Sequence, residues 1–320
     1  MKSVPIDKTI QRSNEPILKV KGLKTTFITK NGDVRAVNGL DFNLNNGQRM
    51  AIIGESGCGK SVLAQTILNL LPNNAQVSGE ILFQNSAILN QSDEQMVALR
   101  GKLIGLIPQH LSSLNPLMKT HLQVEEAIQP DGGSQEKNDI SRKMLNLLNS
   151  VGLRTYVSER HPHQLSGGMN RRVLISMGIA QNPSLLLADE PTTGLDTILR
   201  HKTVKLLDRI TQDRSLLLIT HDINVARLCE TIAVMYAGEI IEKGSAEEIL
   251  ENPKHPYTEG LIASMPSRGM SSIPGLSPSL IEIPSGCRFH PRCPLATEQC
   301  MKIHPVLNGE QAGVRCHACS

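Results

Sequence analysis

Residues 54–61 of the chain are Gly54-Glu55-Ser56-Gly57-Cys58-Gly59-Lys60-Ser61 and match the pattern G-x-x-x-x-G-K-S. An apolar run at residues 49–53 precedes this stretch, and residues 60–71 follow it with helical hydrophobic spacing. Glycines let backbone N–H groups turn toward phosphate oxygens, and a helix start adds positive potential. Lys60 offers a mobile cation to the β- and γ-phosphates, and the Ser61 hydroxyl can ligate Mg²⁺. The stretch, called the phosphate loop below, therefore predicts phosphate binding.

The regions around the phosphate loop favour an α/β fold. Short runs suited to strands alternate with helical stretches, which is typical of a layered sheet. These runs are residues 17–20, 50–53, 103–107, 185–188, 216–220 and 231–236. A helix within residues 141–153 is predicted by an apolar stripe made of Met144, Leu147, Leu148 and Val151. Beyond about Gly244 the prolines become frequent, which predicts an irregular C-terminal region.

Composition excludes several classes of protein. The 320 residues carry 33 basic and 30 acidic side chains, a net charge of +3, so bulk charge does not indicate binding to a polyanion. The apolar runs fall far short of the roughly 20 residues that cross a bilayer. Residues 1–16 form a polar N-terminal extension without the apolar segment of a signal peptide, so we expect the chain to stay in the cytoplasm.

Two acidic residues follow the strand-like run at residues 185–188. Parallel sheets place their ligands at this end of their strands. Asp189 suits the water shell of Mg²⁺, and Glu190 could polarise the water that attacks a γ-phosphate. Alone, such a pair is more often a solvated strand end. Together with the phosphate loop, it indicates phosphoryl-transfer chemistry.

The sequence Leu165-Ser166-Gly167-Gly168-Met169 resembles the signature sequence of ATP-binding cassette (ABC) ATPases. This resemblance implies a P-loop ABC ATPase cassette, with a mixed sheet, a RecA-like core and a helical subdomain at about residues 110–180. In that family the signature contacts the γ-phosphate of ATP held by the opposite cassette. The resemblance therefore implies a dimer in which Ser166, Gly167 and Gly168 bind nucleotide.

Four further residues match positions of the ABC family. Phe27 matches the aromatic residue that packs on adenine, although a core Phe is an equally good interpretation. Gln109 matches the glutamine that touches Mg²⁺ and the attacking water. Asp196, in Gly194-Leu195-Asp196, matches the loop that runs between the two sites of the dimer, and His221 matches the histidine that contacts the γ-phosphate and steadies Glu190.

One segment departs from the family pattern. Relatives commonly have Gly-Gly-Met-Arg-Gln-Arg after the signature serine, whereas here Asn170-Arg171-Arg172 follows Met169. The anion-binding serine and glycines are intact. The missing glutamine puts the packing of this helix and the hydrolysis rate in question.

Two motifs narrow the resemblance to the ATPases of oligopeptide, dipeptide and nickel importers. They are Ser112-Ser113-Leu114-Asn115-Pro116 and His255-Pro256-Tyr257-Thr258. The second motif has a simpler interpretation as a proline turn with an exposed ring. The resemblance implies an ABC ATPase domain at residues 17–250 and an oligopeptide/dipeptide-type region at residues 251–320.

By this resemblance the chain is an ATPase that powers import of peptides or nickel complexes from the cytoplasmic face of the membrane. The implied partners are a second ABC ATPase subunit, identical or different, integral membrane permease subunits and, indirectly, an extracytoplasmic substrate-binding protein. The alternative is a soluble ABC ATPase acting on nucleic acid or ribosomes. The single cassette, the lack of a heptad insert and the small net charge disfavour it, so no nucleic acid is expected.

Five of the seven cysteines lie close together near the C-terminus: Cys287, Cys293, Cys300, Cys316 and Cys319. Four thiolates satisfy either Zn²⁺ or an iron–sulfur cluster, and structural disulfides are rare in the cytosol. The spacing of the first four resembles the C-terminal motif that holds a four-iron, four-sulfur cluster in some dipeptide-importer ATPases. Zinc and the absence of any metal stay open as alternatives. Of the other two cysteines, Cys58 lies in the phosphate loop, and Cys229 is expected in a helix of the core.

Overall fold

The computed structural model describes residues 15–128, 137–309 and 312–319. These residues form two compact units. The central unit contains residues 92–128 and 137–216, and the terminal unit contains residues 15–91, 217–309 and 312–319. Nearly all of the polar extension predicted for residues 1–16 lies outside the described residues. The predicted boundaries at residues 17–250 and 251–320 stay a prediction.

Strands and helices alternate through much of the chain. The strands are β1 (Pro16–Thr29), β2 (Gly32–Asn45), β3 (Arg49–Ile53), β4 (Ala75–Phe83), β5 (Ser86–Ala87), β6 (Ile104–Ile107), β7 (Leu185–Asp189), β8 (Ser215–Thr220), β9 (Thr231–Tyr236), β10 (Glu239–Ser245) and β11 (Gly313–Val314). The helices are α1 (Lys60–Ile67), α2 (Asp93–Leu99), α3 (Thr120–Ile128), α4 (Lys137–Ser150), α5 (Gly167–Gly178), α6 (Thr197–Ile210), α7 (Ile223–Ala226), α8 (Ala246–Glu251), α9 (Pro256–Ala263) and α10 (Glu298–Lys302). All six predicted strands are present, and the predicted α/β class is confirmed.

The terminal unit holds two sheets. The antiparallel sheet has the order β2-β1-β4-β5, and its long strands β1 and β2 are joined by a tight hairpin in which Thr29 pairs with Gly32. In the second sheet the strands of this unit follow the order β11-β10-β9-β3-β8. Strands β3 and β9 run parallel, with Ile53 opposite Val234. Every residue of β8 is buried, as is typical of a strand covered on both faces.

The central unit combines the parallel pair β6 and β7 with helices. Strand β7 is buried along its whole length and ends at Asp189. The helix predicted within residues 141–153 is α4, which buries Met144 and Leu148 but ends at Ser150, so Val151 of the predicted stripe lies just beyond it. None of the described helices is long and apolar enough to span a membrane.

Two local predictions were wrong. The helix expected at residues 60–71 ends at Ile67, because Asn69 adopts a left-handed conformation with φ 50° and Leu70 N–H bonds to the Gln65 carbonyl. This pattern is a common way to terminate a helix. Cys229 is buried as expected, but it lies just after the short helix α7 rather than inside a helix.

Candidate functional site

The phosphate loop lies between β3 and α1 in the terminal unit, as its flanking sequences predicted. Its first and last glycines are fixed by close backbone neighbours. A Cβ on Gly54 would lie 2.1 Å from the Met235 carbonyl oxygen, and one on Gly59 would lie 2.0 Å from that of Ala36. Gly59 has φ 106° and caps the start of α1. Side chains are therefore excluded at the two positions where the loop passes β2 and β9.

Lys60 is the first residue of α1, and its side chain turns back into the loop. Its ammonium group donates hydrogen bonds of 2.8 Å to the carbonyl oxygens of both Gly54 and Glu55. The residue is only 5% exposed. The loop is consequently closed around a cation at the positively polarised end of a helix, which is the environment that an anionic phosphate group requires.

We expect alanine substitutions at two glycines of the phosphate loop to differ in cost. Both have positive φ, +82° at Gly57 and +106° at Gly59, but only the Gly59 Cβ would clash, since nothing lies within 4 Å of one at Gly57. Gly57→Ala should cost about 1 kcal/mol of unfolding free energy for its left-handed backbone. Gly59→Ala should cost about 3 kcal/mol because overpacking is added. Denaturant unfolding measures the free energy lost in each variant. Equal losses would show that the backbone around Gly59 moves to accommodate the added Cβ.

The other two predicted residues of the terminal unit lie at the ends of strands or just beyond them. Phe27 is near the end of β1 and is half-buried, so it is not among the core side chains. His221 directly follows β8 and is exposed. Asp222, the next residue, is the N-cap of α7 and accepts a hydrogen bond from Asn224 N–H through its carboxylate. The backbone is thus fixed just after His221.

In the central unit, Asp189 is the last residue of β7 and Glu190 follows it. The two are 8% and 5% exposed, so both carboxyl groups are largely withdrawn from water. Glu190 has φ 47°, a conformation that non-glycine residues rarely adopt and that costs on the order of 1–3 kcal/mol. The Thr193 hydroxyl donates a hydrogen bond of 3.1 Å to the Glu190 carboxylate. Backbone and side chain of Glu190 are both held in place.

The signature stretch begins α5. Ser166 is its N-cap and accepts a hydrogen bond of 3.3 Å from Met169 N–H. Ser166 and Gly167 are exposed, whereas Gly168 is buried against Leu199. Asp196 caps α6 in the same way, accepting a hydrogen bond of 2.9 Å from Leu199 N–H. The exposed start of α5 presents backbone N–H groups and positive potential to solvent.

Arg171 is a buried residue that contacts both site segments of this unit and that no motif predicted. It lies on α5, is 2% exposed, and donates to the carbonyl oxygens of Pro108 and Gln109 at 2.8 Å and of Thr193 at 3.4 Å. Burial lowers the pKa of its guanidinium group, and the nearby Asp189 charge opposes that shift. Arg171 therefore ties the segment of Gln109 to the segment that holds Glu190. The only sequence signal was the departure from the family pattern at residues 170–172.

The motif His255-Pro256-Tyr257-Thr258 begins α9, and its tyrosine ring is fully buried. The simpler interpretation, an exposed ring on a proline turn, is therefore wrong. The Tyr257 hydroxyl accepts a hydrogen bond of 2.9 Å from the backbone N–H of Glu55 in the phosphate loop. Its ring packs against Tyr236 and Phe289, with centroids 4.6 and 5.5 Å away. This C-terminal motif thus supports the phosphate loop directly.

His255 is the N-cap of α9 and 1% exposed; its Nδ1 accepts a hydrogen bond of 3.0 Å from Tyr257 N–H. Burial lowers the pKa of His255 to about 4, and a backbone hydrogen bond involving Arg315 opposes this only in part. The ring is accordingly neutral in the folded protein at neutral pH. In the unfolded chain its pKa returns to about 6.5.

This histidine should make stability depend on pH. Between pH 6.5 and about 4 the unfolded chain takes up a proton at His255 and the folded protein does not. Stability is thus complete above pH 6.5 and falls as the pH is lowered, by about 3 kcal/mol in total from this group. His255→Asn keeps an N-cap acceptor and removes the titration. Denaturant unfolding at several pH values should give a shallower curve for this variant, and parallel curves would contradict the assignment.

The C-terminal cysteines are close to one another, but the structure does not support a metal site among the described residues. Cys287 N–H donates to the Cys300 carbonyl at 2.7 Å, and the sulfurs of Cys316 and Cys319 are 3.2 Å apart. Across the described residues, no group of three or more His, Cys, Asp and Glu could hold a metal ion. Neither an iron–sulfur cluster on Cys287, Cys293, Cys300 and Cys316 nor a zinc ion is supported.

The phosphate loop after a parallel strand and the signature at the start of α5 define an ABC ATPase. A family model described as ABC transporter matches residues 37–193, and one described as oligopeptide/dipeptide transporter, C-terminal region, matches residues 241–300. The chain belongs to the family of the oligopeptide and dipeptide transport ATP-binding proteins. This follows from identities of 38–40% to such proteins over most of the chain.

Two relatives and one solved structure illustrate the similarity. The oligopeptide transport ATP-binding protein OppD of Haemophilus influenzae is 39% identical over 91% of this chain and 93% of its own length. The dipeptide transport ATP-binding protein DppD of Lactococcus lactis is 40% identical over 88% of this chain and 84% of its own. The dimeric ATP-binding cassette MJ0796 bound to ADP and Pi has a TM-score of 0.66 and 29% identity, covering 72% of this chain and 98% of that one.

Proposed function

We propose that this chain is the ATP-binding and ATP-hydrolysing subunit of an ABC importer for peptides. The observation that carries this proposal is the presence, on one chain, of an ABC cassette and the oligopeptide/dipeptide C-terminal region, together with the similarity of most of the chain to relatives named for peptide transport. Nickel complexes are a secondary candidate for the cargo. The proposed domain division is residues 17–250 for the cassette and 251–320 for the C-terminal region.

The proposed roles in ATP binding follow from the local geometry of each residue. Backbone N–H groups of residues 54–61 and the Lys60 ammonium bind the phosphates, and Phe27 packs on adenine. The half-buried position of Phe27 at a strand end supports that role over one in the core. Ser166, Gly167 and Gly168 bind the γ-phosphate of ATP held by a second cassette, which the exposed start of α5 supports. Asp196 lies in the loop that contacts that cassette.

Hydrolysis of the β–γ phosphoanhydride by water yields ADP and phosphate. Glu190 accepts a hydrogen bond from the attacking water and orients it, as positioning in phosphoryl transfer requires. His221 donates to the γ-phosphate and steadies Glu190. Ser61, Gln109 and Asp189 would hold Mg²⁺, since their hydroxyl, amide and carboxylate oxygens are ligands of the kind that this ion prefers. When bound, Mg²⁺ would neutralise part of the phosphate charge.

The partners we propose are a second ABC ATPase subunit, identical or different, and integral membrane permease subunits, with a substrate-binding protein acting from outside. A solved relative is described as a dimeric ATP-binding cassette, which supports the first of these. The chain would then lie on the cytoplasmic face of the membrane as a peripheral subunit. The segment around Gln109 and the helices before α5 are where we place the permease contact.

Reconstitution of the transporter in liposomes tests the proposal. The chain, its permease subunits and their binding protein should hydrolyse ATP faster when defined di- to pentapeptides are supplied outside, and labelled peptide should accumulate inside. The Lys60→Ala chain is the control, because it should abolish both signals. Hydrolysis stimulated by ribosomes or DNA, with no peptide uptake, would instead identify a non-transport ABC ATPase.

A further inference from the structure

Glu55, the second residue of the phosphate loop, has its carboxylate held by the C-terminal region. Arg292 donates from Nη1 to Oε2 at 2.9 Å and from Nη2 to Oε1 at 3.1 Å, a bidentate pair. The Ser277 hydroxyl donates to the same carboxylate. The Arg292 side chain is 5% exposed and that of Glu55 is 28% exposed, so solvent screens this pair weakly.

Arg292 is itself immobilised. Its Nε donates to the Pro274 carbonyl at 2.9 Å, and its guanidinium carbon lies 5.8 Å and 5.9 Å from the ring centroids of Tyr236 and Phe289. A planar guanidinium held in this way keeps one orientation, which a flexible ammonium group would not. The carboxylate of Glu55 is therefore bound to a rigid support.

The backbone of Glu55 is held as well. Its N–H donates to the Tyr257 hydroxyl at 2.9 Å, and its carbonyl oxygen accepts from Lys60 Nζ at 2.8 Å. Side chain, N–H and carbonyl of one residue thus each have a fixed partner. Two of these three partners belong to the C-terminal region, and the third is the lysine that we propose to bind phosphate.

The negative charge of the Glu55 carboxylate also affects phosphate binding. A carboxylate in the phosphate loop repels phosphate groups and attracts the Lys60 ammonium, unless another cation neutralises it. Burial raises the pKa of Glu55, but hydrogen bonds and charge from Arg292, with help from Ser277 and Lys60, leave it below its usual value. Glu55 is consequently ionised at neutral pH, and Arg292 compensates its charge.

We propose that Arg292 is a positioning residue for nucleotide binding, which fixes the phosphate loop through Glu55 and cancels the charge of that carboxylate. The proposal rests on the ATP binding proposed above. By this proposal, a residue of the C-terminal region helps to position the nucleotide in the ATPase site of the same chain. An ion pair with a purely structural role would stabilise the fold without changing affinity for nucleotide.

Calorimetric titration of the full chain with MgADP tests the proposal. Arg292→Met should weaken MgADP binding by about tenfold, the size expected when a charge-assisted contact is lost. The double variant Arg292→Met/Glu55→Gln should bind more tightly than Arg292→Met, because the uncompensated carboxylate is gone. Arg292→Lys should recover part of the affinity. The matched control is Arg268→Met, which breaks an exposed ion pair with Glu251 in the same region and should change affinity by less than about twofold.

Thermal unfolding of each variant separates affinity from stability, and titrations are made well below every transition. Should Arg292→Met unfold at the titration temperature, Arg292→Lys carries the test and should still bind MgADP more weakly than the wild-type chain does. Wild-type affinity in Arg292→Met, or a double variant no tighter than the single one, would overturn the positioning role alone. Failure of the wild-type chain to bind MgADP would overturn the ATPase function and this role together.

Discussion

Glu190→Gln should bind ATP as the wild-type protein does and hydrolyse it about 10²- to 10⁴-fold more slowly. Glutamine has nearly the same shape as glutamate, so the left-handed backbone at residue 190 and the bond from Thr193 can both be kept. What is lost is the carboxylate oxygen that orients and polarises the attacking water. Turnover of the reconstituted transporter at saturating MgATP measures the effect, and gel filtration should show a trapped closed dimer.

The control for this variant is Asp213→Asn, which changes an exposed acid of the same unit that lies after α6, outside the proposed permease contact. It should leave turnover unchanged. Thr193→Val tests the positioning of Glu190 and should reduce turnover less than Glu190→Gln does, because the carboxylate itself remains. Undiminished hydrolysis in Glu190→Gln would remove this residue from its proposed role.

Arg171→Met should lower the free energy of unfolding by about 4 kcal/mol. Three backbone carbonyls, those of Pro108, Gln109 and Thr193, lose a charged donor, and each such bond contributes about 1.5–3 kcal/mol. The expected loss is smaller than the contributions of three such hydrogen bonds added together. Methionine restores some packing, and a charged group no longer has to be buried. Urea unfolding of the isolated chain measures the loss.

Arg172→Met is the matched control, one residue further along α5. Arg172 is half-buried and donates one solvent-exposed hydrogen bond of 3.1 Å to the Gly152 carbonyl, so its replacement should cost less than about 1 kcal/mol. Arg171→Gln introduces the residue that the family commonly has, and it should retain part of the stability by reaching one of the carbonyls. Equal costs for Arg171→Met and Arg172→Met would show that the buried guanidinium does not hold the two loops.

The strands and the phosphate loop could be predicted because their signals are local. Residues 50–53 and 231–236 are short apolar runs, and buried parallel strands need little else to be recognised. The antiparallel sheet was harder to predict. Strand β1 carries several register shifts against β2, so its apolar residues do not alternate regularly. The end of α1 depends on the left-handed turn at Asn69, which a hydrophobic pattern does not reveal.

Residues of the candidate site could be predicted only where they belong to a recognisable sequence motif. Lys60, Ser166 and Glu190 occupy recognisable positions, whereas Arg171 and Arg292 act through contacts with distant backbone or side chains. Arg292 is 237 residues from Glu55 along the chain, and nothing in either local sequence specifies the other. The cysteine spacing indicated a metal ligand set, but spacing alone does not determine whether thiols converge on one point. Tertiary packing decides each of these questions.

The contact between Arg292 and Glu55 couples two positions that a protein engineer would treat as independent. Chimaeras that exchange C-terminal regions between transporters should work best when the donor and recipient agree at both positions. For the same reason, residues 55 and 292 should covary among homologous proteins, so that a replacement at one position is accompanied by a compensating replacement at the other. A shortened chain that ends before residue 292 would lack that compensation, so it would be an unsuitable minimal ATPase.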